Sequence, residues 1–312
     1  MAASFRSFDI DRQLPLGDEI FLDHIGHFVR DADAASRALA RAGFLPTPIS
    51  IQGSPEVTVG RRLTGTGNIT AMLSRGYIEV LFKTTDTMLG REFDAALARY
   101  CGIHLAAFSV ADARTARERL AAGGFRVHPL VNMQRPVETE AGEDVAAFTI
   151  ARVEADVMPE GRIQLLTHHT EQTVWQQRWL AHSNSAKGLL DVVIAVPKAA
   201  EAAARFARFT GRQIVQTSCG AMLRLDRGGV LLATRDQLTE LLPECATSTL
   251  PFMAAYAVRV QSLAAAEIAV ESADLEWRAF EDGIIARFPA ELGEGAWFFV
   301  EQPSALAWRR EG

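Results

Sequence analysis

Leu22-Asp23-His24-Ile25-Gly26-His27-Phe28-Val29 is an apolar strand that turns at Arg30-Asp31 and runs into an Ala-rich amphipathic helix from Ala34 to Arg41. Gly43 closes the helix at the position where a left-handed glycine is favoured. Further strands end at Gly76-Tyr77-Ile78-Glu79-Val80-Leu81-Phe82. This stretch decides the fold, because its pattern returns three more times, and self-similarity at a fixed period outweighs any local motif. His104-Leu105-Ala106-Ala107-Phe108-Ser109-Val110 opens the second copy, with Asp112, a helix from Ala113 to Ala122, Gly123-Gly124 and a last strand from Arg162 to His168. The third runs from Leu190 to Pro197, through a helix from Ala199 to Phe209 and Gly211, to strands at 220–225 and 229–234. A fourth opens at Ala255 to Val260 and ends in strands at 277–280 and 296–301; its Ala-rich segment is too short to read as a full helix.

Each copy reads β-α-β-β-β. One such unit has an apolar sheet face that it cannot cover alone, so the units should pair, giving an α+β protein of four βαβββ modules in two halves. Residues 1–18 read as an N-terminal arm, 19–170 as the first half, 171–187 as a connecting helix (Glu171 to Leu180) and small polar linker, and 188–312 as the second half. The stretch from Val131 to Asp144, rich in Pro, Glu and Gly, reads as a long loop over a cavity.

Composition removes several classes of function. At 312 residues, 48% hydrophobic and 22% charged, the chain can bury two cores. The net charge of −6 (32 basic against 38 acidic residues), without a run of like charges, argues against nucleic acid or an anionic membrane as partner. Cys101, Cys219 and Cys245 are odd in number and far apart, which suggests a reducing compartment. No secretory or membrane-spanning segment is read, so the expected location is cytoplasmic and the expected partner a small molecule, with a homodimer left open. Neither a GxSxG elbow nor a dinucleotide fingerprint is present, since GTGNIT opens no helix.

The paired β-α-β-β-β units, with His in a first strand and Glu in a last one, resemble the vicinal oxygen chelate superfamily of glyoxalase I, extradiol dioxygenases, fosfomycin-resistance enzymes and bleomycin-binding proteins. Leu22-Asp23-His24-Ile25, Gly65-Thr66-Gly67-Asn68 and Gly76-Tyr77-Ile78-Glu79 are similar to the DH, GTxN and GYxE patterns of the glyoxalase-like domain family, as are Gln164, His168, Thr170 and Trp175 to its QxxxHxT…VW stretch. The resemblance implies two cup-shaped halves. It also implies a divalent metal (Fe, Mn, Ni, Co or Zn) at the bottom of the first cup, ligated by His24, Glu79 and Gln164.

In the second module the first-strand ligand position falls on Leu105. His104 reaches the cup only if a bulge shifts the register, whereas His168, on the face of Gln164, offers an imidazole near the rim. His104 and His168 are therefore the candidate acid–base groups, and Asn68, in the GTGN turn, Tyr77 and Trp175 the candidate substrate contacts. His27 and His169 lie on alternate strand faces, and His128 and His182 read as surface or loop. Asp191 and Ala255 replace the first-strand His in the second half, so no second metal site is expected. Two functions compete: a metal-dependent lyase, isomerase or dioxygenase acting on a substrate with vicinal oxygens, and a metal-free binding or sequestering protein of the bleomycin-resistance type.

Overall fold

The computed structural model describes residues 12–54, 62–245 and 249–310; the first eleven residues of the expected arm lie outside them. Module one is β1 (Ile20–Phe28), α1 (Ala32–Arg41), β2 (Ser50–Ser54), β3 (Arg62–Met72) and β4 (Tyr77–Lys83), followed by α2 (Met88–Arg99). Module two is β5 (Gly102–Val110), α3 (Ala113–Ala122), β6 (Val131–Thr139), β7 (Gly142–Arg152) and β8 (Arg162–His168), followed by the one-turn α4 (Glu171–Val174). Module three is β9 (Ala186–Ala195), α5 (Ala199–Thr210), β10 (Ile214–Thr217), β11 (Gly220–Arg224) and β12 (Gly229–Ala233), followed by α6 (Arg235–Leu241). Module four is β13 (Phe252–Val260), α7 (Leu263–Ser272), β14 (Trp277–Phe280), β15 (Gly283–Arg287) and β16 (Ala296–Val300).

One stereochemical device recurs in all four modules. The last strand of each begins after a glycine at positive φ: Gly76, Gly161, Gly228 and Gly295. A Cβ on any of them would lie 2.5–2.7 Å from a main-chain carbonyl oxygen of the first strand, that of Asp23, His104, Leu190 or Ala254. Only glycine permits that approach. The strand registers agree, pairing His24 with Tyr77, Leu105 with Arg162, Asp191 with Gly229 and Ala255 with Ala296.

The strands of the first half run β1-β4-β3-β2-β6-β7-β8-β5, and β5 returns antiparallel to β1, so the eight form a closed ring. Its weakest seam is β2 to β6, a single pairing of Gly53 with Gln134 beside Pro136, which has no N–H to give. The second half runs β10-β11-β12-β9-β13-β16-β15-β14 and stays open between β10 and β14 among the described residues. Helices α1, α3, α5 and α7 cover the outer faces, joined by one apolar core through all four modules that includes Leu39, Leu120, Phe206 and Val270. Each half keeps a separate apolar cluster on its inner face. No helix among the described residues is long and apolar enough to cross a membrane.

Three sequence expectations are corrected. The stretch from Val131 to Asp144 is no loop but the hairpin of β6 and β7, with half-buried and exposed side chains alternating along β6; its Pro and Glu residues fall on the outward face. The Ala-rich segment of module four is a ten-residue helix, started by Ser262, whose hydroxyl accepts from the Ala265 N–H. In the expected connecting segment only Glu171–Val174 is α-helical, with a 3₁₀ turn at Gln177–Trp179. The stretch after it is tied down: His182 is buried between the Leu45 N–H and the Met72 carbonyl, and Asn184 donates to the Ala42 carbonyl.

Candidate active site

The first cup is built around a bulge. Leu22 pairs with Phe108 and His24 with Ala107, leaving Asp23 without an opposite residue. Bulges re-aim side chains, and this one brings two consecutive side chains together: Asp23 Oδ1 is 2.7 Å from His24 Nδ1. His168 Nε2 approaches the same carboxylate at 3.0 and 3.2 Å. Burial opposes ionisation of Asp23, but the charges of and hydrogen bonds from His168 and His24 outweigh it and hold the carboxyl well below the usual carboxylate range. An ionised Asp23 accepts from Nδ1–H, which turns His24 Nε2 away from it and sets that nitrogen 3.5 Å from Glu79 Oε2. Glu79 Oε1 accepts a 2.6 Å hydrogen bond from Asn68 Nδ2, and Tyr77 stacks on the imidazole at 4.4 Å. Burial, then the nearby Asp23 and Glu79 charges, push the Tyr77 hydroxyl far up, so it stays a neutral phenol.

These groups face a cavity of about 40 Å³, which His24, Asn68, Tyr77, Glu79 and Gln164 all line. That is room for roughly three waters, or for one carboxylate-sized group. The same cavity is lined by three guanidiniums that the sequence did not single out: Arg135, Arg152 and Arg162. Arg152 Nε donates to Gln164 Oε1 at 3.0 Å. Arg162 binds Glu92 at 2.8 Å and lies over the rings of Phe28 and Phe93. Neither Arg135 nor Arg152 has an ion-pair partner among the described residues. Burial, then the nearby Arg162 charge, bring Arg152 down to about 10, and burial also lowers Arg135, so both remain cations at neutral pH. The alternation along β6 carried the signal for Arg135, masked by the loop reading. Asp23 lay inside the quoted DH pattern, but nothing in the sequence announced the bulge.

Other expected residues stand elsewhere. β5 does bulge at His104, since Gly26 pairs with Leu105 and His27 with Ile103. The ring nevertheless stacks on Tyr100 at 4.0 Å, with Nε2 2.8 Å from the Tyr100 carbonyl, and Leu105 takes the cup position. Burial lowers His104 to about 4. His168 is fully buried behind His24 instead of standing at the rim, and Trp175 packs against it at 4.7 Å, outside the cavity lining. Asn68 belongs to the long strand β3 and not to a turn. His27 is a core residue between the Leu292 carbonyl and the Tyr256 hydroxyl.

Tested as a metal centre, the donor set is half complete. His24 Nε2 and Glu79 Oε2 stand close enough to share an ion, but the second module offers Leu105 and Gln164, whose amide oxygen is taken by Arg152. No group of three or more His, Cys, Asp or Glu side chains that could hold a metal ion occurs among the described residues. Two donors are too few for a resident divalent ion, and the two guanidiniums left without an ion pair among the described residues, Arg135 and Arg152, add like charge that opposes the cation.

In the second cup the equivalent positions hold Asp191 and Ala255, with Leu231 and Phe298 in place of Glu79. Asp191 is buried and neutralised by the segment after β16: Trp308 Nε1 donates at 2.8 Å, and Arg309 pairs with both carboxylate oxygens.

A profile of the glyoxalase-like domain family matches residues 22–210, more than half of the chain. No curated protein matches it in sequence. Among solved structures, the chain is similar to a hypothetical protein from Staphylococcus aureus, with TM-score 0.62, 10% identity, and coverage of 90% of this chain and 98% of that one. It is similar to a mutant of 4-hydroxymandelate synthase from Streptomyces coelicolor, with TM-score 0.51, 14% identity and coverage of 90% and 92%. It is also similar to homoprotocatechuate 2,3-dioxygenase from Arthrobacter globiformis, with TM-score 0.51, 11% identity and coverage of 95% and 85%. At these identities the likeness is one of fold.

Proposed function

We propose, from the premise that this chain belongs to the glyoxalase-like domain family, that its first cup binds the anionic end of a small organic acid without a resident metal and moves a proton on it, as a lyase or isomerase does. The observation that carries this reading is that His24, held by Asp23, lines one cavity together with Arg135 and Arg152. Two half-buried guanidiniums share the one Glu79 charge of this cavity without an ion pair to it, and a ligand carboxylate or phosphate would supply the missing counter-charge. His24 Nε2, oriented by Asp23, takes a proton from the carbon beside a substrate carbonyl. The electron pair moves onto the carbonyl oxygen, where the guanidiniums stabilise the enolate charge that the superfamily resemblance would assign to a metal. Glu79, fixed at Oε1 by Asn68, receives the proton from Nε2 through Oε2 or returns it. The dioxygenase branch of the sequence expectation loses support, because the donors and the charge around them suit an anion better than a redox metal.

The test is exchange of the pyruvate methyl protons for deuterium, followed by proton NMR in D2O with EDTA present. Exchange should be catalysed by the wild type and fall by roughly 10²–10⁴ in His24→Gln. A binding-only role has one observation in its favour: Gln164 supplies no second carboxylate. Stabilisation of the fold by pyruvate without any exchange would establish that role in place of catalysis.

A further inference from the structure

The cup is too small for a whole ligand, and the molecule holds a second space at its side. A groove of about 660 Å³ lies between α2 and the segments flanking β8, and it shares Leu89, Arg152 and Arg162 with the cup. Its walls are largely apolar: Met88, Leu89, Leu130, Val131, Val153 and Met158. The two carboxylates on it are neutralised, Glu92 by Arg162 and Glu154 by Arg126 at 2.5 Å. Arg152, at the junction, bonds only the neutral Gln164 oxygen among the described residues. The groove volume falls in the range of ordinary ligand sites, whereas the cup alone takes one carboxylate-sized group. Met88, which is 77% exposed, leaves an apolar side chain at the groove wall, where solvent exposure gains it nothing.

We infer that the ligand is an amphipathic monoanion: its carboxylate sits between Arg152 and the cup, and its hydrocarbon tail lies in the groove under α2. This rests on the anion-binding reading above and adds the substrate class. Positive charge at the inner end and largely apolar walls beyond it, with Arg99 on the Pro251 carbonyl as the one further cation of the lining, match such a molecule and disfavour a sugar-like one, whose polar groups would lose their water against Leu130, Val153 and Met158. The side of α2 facing the groove thereby acquires a use: Phe93 and Leu97 point into the cup core, while Met88, Ala95 and Ala96 line the groove.

Calorimetric titration of propionate, hexanoate and octanoate into the full chain, with EDTA present, tests this. Affinity should rise about fourfold per methylene until the groove is filled. Ala95→Trp, at an exposed position on the groove wall, should flatten that dependence, and Met88→Glu should do so without added bulk. Arg152→Gln should weaken all three ligands by a similar factor. If propionate binds and length makes no difference, the tail site is overturned and the anion-binding reading survives. A length dependence that Arg152→Gln leaves at full affinity overturns the carboxylate seat. Failure of all three acids to bind overturns this inference, while pyruvate exchange still judges the reading beneath it.

Discussion

The two cups share one backbone plan and treat charge in opposite ways. In the second, Asp191 stands where His24 stands in the first, and the chain's own Trp308 and Arg309 close over it, so the charge is used up in packing. In the first, Arg135 and Arg152 share their cavity with the single carboxylate of Glu79, whose charge both feel but with which neither forms an ion pair among the described residues, and His24 is held with one nitrogen turned to that cavity. A buried pair completed within the fold is structural, whereas half of a pair held ready for something absent costs stability and points to a ligand.

The largest effect that would separate the two belongs to the second cup. Arg309→Ala strands the Asp191 carboxylate and should cost about 3–5 kcal/mol in urea unfolding. A much smaller loss would mean that the second cup is not closed by this pair.

Acid should come next. Burial brings His27 and His104 down to about 4 from an ordinary 6.5, so the unfolded chain takes up protons that the folded one refuses. Stability is then complete above pH 6.5 and falls as pH drops from 6.5 to 4, by at most ~3 kcal/mol per histidine. Asp23 works below that window, since a carboxyl with a lowered folded value loses its contribution only as pH falls under the ordinary carboxylate range. Thermal melts across pH 4–7 should therefore show a slope that His104→Phe reduces, and an unchanged slope would count against the burial assigned to His104.

Asp23→Asn sharpens the comparison on the first-cup side. It replaces charge-assisted bonds to two histidines and should cost about 2–3 kcal/mol. It should also release the fixed tautomer of His24, which nitrogen NMR of the imidazole reads directly. The smallest change in stability is expected of Arg152→Gln, within about 1 kcal/mol of the wild type and in either direction, because a neighbouring cation is relieved while a bond to Gln164 is lost. A loss as large as that of Arg309→Ala would make Arg152 structural and dissolve the contrast.

The fold was legible because each module repeats a stereochemical necessity: a glycine that lets the last strand approach the first, and a glycine or capped turn that ends the helix. The first-module half of the site was legible for a related reason, since Glu79 stands in an otherwise apolar strand and Asn68 and Tyr77 lie close to it in the sequence. What escaped depended on register. One unpaired residue turns Asp23 toward His24 and another leaves Leu105 in the cup while His104 goes to Tyr100, and no composition or spacing announces an unpaired residue. The arginines escaped because their meaning lies in convergence: Arg135, Arg152 and Arg162 come from three strands, one of which resembled a loop through Pro136 and Glu138.

The central claim, that Leu105 and Gln164 stand where a resident metal would need its remaining donors while guanidiniums line the same cavity, is tested most directly by elemental analysis. The protein should be purified without a metal-affinity tag or chelator and compared with His24→Ala. No stoichiometric transition metal is expected in either protein. About one equivalent in the wild type, lost in His24→Ala, would contradict it and return the cup to metal chemistry.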